Sequence, residues 1–118
     1  MDRRVQTVIV WMHDNLHRDV SIEELARLVN LSSSRLRHVF KVETNVSLYH
    51  YLKLLRMKRA KDLLATTLLT VKEVRVSVGV QNKAHFTQYF KETYGMTPVQ
   101  FRRTLDMTQP PEKYLIDK

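Results

Sequence analysis

Apolar residues recur along this chain at intervals of three and four rather than at every second position, the periodicity of amphipathic helices and not of strands. Val5, Val8, Ile9, Met12 and Leu16 share one stripe of a helix from about Arg3 to His17. A second helix starts after Ser21 and turns Ile22, Leu25, Ala26 and Val29 inward. The tight turn Val29-Asn30-Leu31-Ser32 leads to a third that buries Leu36, Val39 and Phe40. From Ser47 to about Thr66 there is no breaker, so one long helix is predicted. Beyond it the same order returns: Val71, Val74 and Val78, the turn Val78-Gly79-Val80-Gln81-Asn82, then Phe86, Tyr89 and Phe90. A closing helix near Pro98 to Leu105 offers Val99, Phe101 and Leu105 to the second lobe, and residues 106–118, with Pro110-Pro111, read as a tail. Ser21 with Glu24, Thr70 with Glu73 and Thr97 with Gln100 have the spacing of capping boxes, the last with Pro98 at the first helical position. Asn45 and Gly95, tolerant of the left-handed conformation, stop the third and sixth helices.

The fold class is therefore all-α: two helix-turn-helix subdomains, at about 21–44 and 70–94, joined by a central helix at about 47–66 and closed by a helix at about 98–105. The two subdomains are copies. Their landmarks are offset by 49 residues at the start (Ser21/Thr70, Glu24/Glu73, Leu25/Val74, Val29/Val78) and by 50 afterwards (Leu36/Phe86, Phe40/Phe90, Lys41/Lys91, Asn45/Gly95, Ser47/Thr97). At 1.5 Å per residue the central helix is about 30 Å long, close to the roughly 34 Å of one DNA turn. Its apolar stripe rotates along its length, with Leu48, Tyr51, Leu52 and Leu55 on one side and Ala60, Leu63 and Leu64 about a third of a turn away. Such a helix serves two differently oriented lobes.

Charge points to the partner. Lys and Arg number 20 against 12 Asp and Glu, for a net charge of +8 over 118 residues, the electrostatic footprint of a chain that meets polyanions. There is no cysteine, and no apolar run reaches membrane-spanning length, so disulfides, thiolate metal sites and a membrane anchor are not expected. If Leu36, Val39 and Phe40 point inward, the opposite face of that helix presents Ser34, Arg37, His38 and Lys41. In the second copy the same geometry turns Ala84, Thr87, Gln88 and Lys91 outward. A helix fits the major groove, where Arg pairs with guanine, Gln with adenine, and small side chains meet the thymine methyl. Ser32 and Asn82 stand at helix starts, where free backbone N–H groups receive a phosphate.

These residues carry a resemblance to the DNA-binding domain of the AraC/XylS family of bacterial transcriptional regulators, from about Val5 to Arg103. The most specific segments are Ser21-Ile-Glu-Glu-Leu-Ala26, Leu36 with Phe40-Lys41, Tyr51-Leu52 with Arg56 and Ala60, Leu63-Leu64, Val78-Gly79, Phe86 with Phe90-Lys91, and Tyr94-Gly-Met-Thr-Pro98 with Phe101-Arg102. The resemblance implies a monomeric seven-helix domain, covering about residues 1–105, whose third and sixth helices enter adjacent major-groove segments of double-stranded DNA. It also implies transcriptional activation through RNA polymerase, in the bacterial cytoplasm at the nucleoid, with no cofactor and no enzymatic activity. Carried to matching positions, the base readers are Ser34, Arg37 and His38 in the first unit and Lys83, Ala84 and Gln88 in the second. Lys83 comes from the resemblance alone. Ser32, Lys41, Asn82, Thr87 and Lys91 are assigned to the phosphate backbone.

Three positions depart from the family pattern. His38 stands where Arg is usual, and Val80 where an aromatic is usual after Gly79. Arg75 occupies the slot equivalent to Ala26, where a small residue is preferred. A buried guanidinium must snorkel, find an acid or loosen its surroundings. The second unit is accordingly expected to be the weaker, more mobile reader, and Arg75→Ala to raise the melting temperature. The alternative function is a degenerate helix-turn-helix module, its DNA reading lost through Arg75 and Val80, that binds RNA polymerase or a partner regulator. A basic RNA binder fits less well, because a helix does not enter RNA's narrow major groove. His13 and His17, one helical turn apart, have a zinc-compatible spacing but no third ligand, and Trp11 reads as a packing residue. The run Lys53, Arg56, Lys58, Arg59, Lys61 lines a phosphate backbone or is a solvated face. No nucleophile, base and orienter occur at telling spacings, and no glycine-rich phosphate loop exists, so catalysis has no support. The chain is either a stand-alone regulator or, as its first helix near Met1 suggests, the output piece of a longer, dimeric, effector-responsive protein.

Overall fold

Seven helices follow one another in the computed structural model, which describes residues 1–106: α1 (Arg3–Asp14), α2 (Ile22–Leu28), α3 (Ser33–Thr44), α4 (Leu48–Thr66), α5 (Val71–Ser77), α6 (Lys83–Tyr94) and α7 (Pro98–Asp106). No strand occurs among the described residues. The tail predicted from residue 106 lies, beyond α7, outside them.

Short polar side chains start most of these helices. Asp2, Ser21, Ser32, Ser47, Thr70 and Asn82 each accept a backbone N–H from the first turn of the helix that follows. Two of the three predicted capping boxes close on both sides: Thr70 with Glu73, at 2.9 and 3.0 Å, and Thr97 with Gln100, at 2.9 and 3.1 Å. The Thr70 N–H it accepts holds the Glu73 carboxyl below the usual carboxylate range. At Ser21 the box is only half made, because Glu24 turns away to pair with Arg18 at 3.1 Å. The first helix is also shorter than its apolar stripe suggests. Asn15 donates its side-chain amide to the Trp11 carbonyl at 2.8 Å while its own N–H turns to Met12, so α1 stops at Asp14. His13 and His17 therefore do not share a helix, which removes the basis of the zinc spacing.

Two hydrophobic cores result. The first gathers Val5, Val8, Met12, Leu16, Ile22, Leu25, Ala26, Leu36 and Phe40, and the second gathers Val74, Val78, Val80, Phe86 and Phe90. The unbroken helix α4, about 28 Å long at 1.5 Å per residue, supplies both. Leu48 and Leu52 enter the first core, with Tyr51 and Leu55 packed against it, while Met57, Ala60 and Leu64 enter the second, with Leu63 packed against it. The rotated stripe divides as its phase requires. In the second lobe Phe90 sits 4.9 Å from Tyr94 and 5.8 Å from Phe101, ring centre to ring centre. Phe101 alone of the three apolar residues expected from α7 packs there; Val99 and Leu105 are exposed, since a nine-residue helix lying on the lobe turns only one stripe inward. Arg102 anchors it by donating to the carbonyls of Leu64, Thr67 and Leu69, which end α4 and begin the link to α5.

The duplicated turns differ in one respect. Asn30 and Gly79 hold equivalent left-handed conformations, with φ of 57° and 79°, and Leu31 and Val80 donate equivalent N–H bonds to Ala26 and Arg75. The second turn is pressed against the other lobe. A Cβ on Gly79 would lie 2.1 Å from the Leu16 carbonyl oxygen, whereas one on Gly95, also left-handed at 81°, would meet nothing within 4 Å. Gly95→Ala is expected to lose about 1–2 kcal/mol, the left-handed cost of a Cβ, and Gly79→Ala distinctly more. Urea denaturation of both variants checks this order, and equal losses would mean that the second turn does not touch the first lobe in solution.

Candidate nucleic-acid interface

Helix α3 turns Leu36 and Phe40 fully inward and Val39 half inward, leaving Ser34, Arg37, His38 and Lys41 exposed. None of these four side chains bonds or ion-pairs among the described residues, whose ion pairs are Arg4 with Asp2 and Arg18 with Glu24. Ser32 caps the helix by accepting the Arg35 N–H at 3.1 Å. The preceding N–H groups, of Ser33 and Ser34, lie ahead of it at the positive end of the helix, where an anion is favoured.

The second unit repeats this layout. Asn82 accepts the His85 N–H at 2.9 Å, Phe86 and Phe90 are buried, and Lys83, Ala84, Gln88 and Lys91 are exposed. Gln88 donates to Glu92 across one turn at 3.3 Å, a weak contact that holds its amide near the surface. Two positions differ from expectation. Thr87 is half-buried and borders a cavity that also takes in Val71, Phe86, Pro98 and Val99, between α6 and the start of α7. Tyr89 is half-buried rather than fully so, with the Lys53 ammonium 4.8 Å above its ring and His85 stacked 5.7 Å away. Both departures come from packing partners distant in the chain.

The basic run on α4 divides by contact. Lys58 and Arg59 are exposed, Lys53 and Lys61 lie over aromatic rings of the second lobe, and Arg56 is turned inward. Lys53 and His50 share with Asn82 and His85 a groove of about 590 Å³ between α4 and the start of α6. Neither histidine had a signal in the sequence. The groove, which Asp19 also lines, continues the surface of α6 onto the helix that joins the units. Trp11, read as a packing residue, is half-buried against the first core with Arg18 over its ring at 5.3 Å.

Arg75 neither snorkels into solvent nor finds an acid. Its guanidinium donates to the carbonyl of Val80, at 3.0 Å, and to that of Gln81, so it ties down the turn that leads into α6. Val80 is buried in the second core. The residue that looked like a defect closes the second unit.

Two copies of a helix, a tight turn and a second helix with an exposed, uncompensated basic face, set along one shared helix, define a tandem helix-turn-helix domain. A family model described as a helix-turn-helix domain matches residues 25–104. The arabinose operon regulatory protein of Escherichia coli is 33% identical over 103 residues, 86% of this chain and 35% of that protein. The Msm operon regulatory protein of Streptococcus mutans is 32% identical over 94 residues, 80% of this chain and 34% of that protein. Among solved structures, the C-terminal domain of AraT, a response regulator from Geobacillus stearothermophilus, superposes with a TM-score of 0.84 at 27% identity, covering 99% of this chain and 94% of that one. The DNA-binding domain of AdpA, solved in complex with a target DNA, shares the fold with a TM-score of 0.82 at 23% identity, over 87% of this chain and 93% of that one. The chain belongs to the AraC/XylS family of helix-turn-helix DNA-binding domains. This is a family of regulator domains, not of enzymes. The chain spans about a third of the length of the curated relatives it matches.

The contacts of Arg75 reverse the stability change expected from sequence. Arg75→Ala strands two turn carbonyls, and bonds from a charged donor contribute about 1.5–3 kcal/mol. Thermal denaturation is therefore expected to show a lower melting temperature for the variant, and a higher one would restore the strained-packing reading.

Proposed function

We infer that this chain binds double-stranded DNA in a sequence-specific manner for transcriptional regulation, with α3 and α6 reading successive major-groove segments. The observation that carries this is the doubled, outward face: in both units the same register that buries two core residues leaves a row of exposed side chains, whose cations Arg37, Lys41, Lys83 and Lys91 have no ion pair among the described residues. Ser34, Arg37 and His38 read bases from the first unit, and Lys83, Ala84 and Gln88 from the second. Ser32, Lys41, Asn82 and Lys91 hold the phosphates, with Thr87 at the edge of that surface, and His50, Lys53 and His85 add to it from the groove beside α6. The spoiled second unit on which a protein-interaction module would rest is not what the packing of Arg75 and Val80 gives.

The wider setting is also proposed. The domain acts as a monomer within a longer, dimeric cytoplasmic regulator and contacts RNA polymerase when bound. No helix among the described residues is long and apolar enough to cross a membrane.

Sites selected from a random duplex pool supply the ligand for the test. On such a site the log–log slope of affinity against salt is expected to be about −0.9 per phosphate contacted. Arg37→Ala is expected to cost about 1–3 kcal/mol and relax preference at one base pair, and Lys41→Ala to weaken all sequences alike and reduce the salt slope by about 1. Failure to enrich any common sequence, or an affinity flat from low to moderate salt, would overturn the reading.

A further inference from the structure

Helix α4 joins the two lobes, each packed on a different face of it. A second joint exists where the turn of the second unit meets the connection between α1 and α2. Arg56 stands at its centre. It leaves α4 just before Met57, where the helix passes from one core to the other, and its Nη2 donates to the Arg18 carbonyl at 2.8 Å. The same nitrogen lies 3.2 Å from where a Gly79 Cβ would be, and Gly79 in turn closes on the Leu16 carbonyl. One guanidinium thus touches the central helix, the first lobe and the second turn. Its Nε is buried and has no hydrogen-bond partner among the described residues. Burial lowers its pKa from the ordinary guanidinium value, and Asp19 acts in the opposite direction.

Gly79 precedes the first residue of α6 by only four positions, so whatever fixes this turn fixes the direction of the second reading helix. We propose that Arg56 and Gly79 form a latch that sets the spacing between half-sites which the domain accepts, making Arg56 a specificity-determining residue that touches no base. This rests on the reading that both units bind DNA.

The test takes a selected site with two half-sites and a series in which one or two base pairs are inserted or deleted between them. Wild type is expected to lose about 10²-fold in affinity on a single insertion, because misplaced half-sites forfeit the gain from binding both heads at once. Arg56→Met, which keeps the apolar stem and removes the donors, is expected to bind an isolated half-site as wild type does while its spacing profile flattens. Arg56→Lys is expected to restore part of the sharpness. A second readout needs no DNA: spin labels on cysteines introduced at the exposed Val42 of α3 and Glu92 of α6, in a chain with no cysteine of its own, should report a broader distance distribution in Arg56→Met than in wild type. An unchanged spacing profile together with an unchanged distribution would overturn the latch while leaving DNA reading intact. Wild type that enriches no sequence would overturn the reading on which it rests.

Discussion

Burial of two different faces of α4 is the constraint from which the architecture follows. Leu48 and Leu52 close one core and Met57, Ala60 and Leu64 close the other, on a single run of backbone with no proline or glycine inside it. Burying one such aliphatic side chain contributes about 1.5–3 kcal/mol, so α4 cannot break without exposing apolar surface in both lobes. That coupling turns two small subdomains, each too modest to bury much on its own, into one object with two outward faces of fixed register.

Three arginines finish what the apolar residues begin. Arg56 donates to the Arg18 carbonyl, Arg75 to Val80 and Gln81, and Arg102 to Leu64, Thr67 and Leu69, in each case across a junction between helices. A planar fork with five donors suits main-chain carbonyls left over where helices end. The net charge of +8 therefore overstates what is available to a polyanion, because these cations face the protein. Exposed cations remain on α3 (Arg35, Arg37 and Lys41) and α6 (Lys83 and Lys91), and also elsewhere, as at Lys58, Arg59 and Lys72.

Most of the fold was legible because it is written in local terms. Capping residues, turn residues and the 49- and 50-residue offsets are short-range or periodic signals, and the rotation of the α4 stripe follows from helical phase alone. The outward faces of α3 and α6 were legible for the same reason, being the complement of the buried set. What escaped depended on partners distant in sequence. Arg75 looked like a burden because its two carbonyl acceptors sit in a turn whose geometry the residue types do not display. Glu24 left its capping box for Arg18, and Asn15 stopped α1 early, since each had a competing bond that spacing does not rank. His50 and His85 share a groove only because α6 folds back onto α4.

Separate cores on a common helix also bear on how the molecule comes apart. Loss of the second lobe would leave Leu48, Leu52 and the first core assembled on the N-terminal half of α4, with the C-terminal half free to fray. Amide protons of α1 to α3 and of α5 to α7 then belong to different opening units, each with its own protection, while those at the middle of α4 exchange only when both have opened. Two cores on one helix allow a partly folded form that keeps one helix-turn-helix unit, a state unavailable to a protein with a single core.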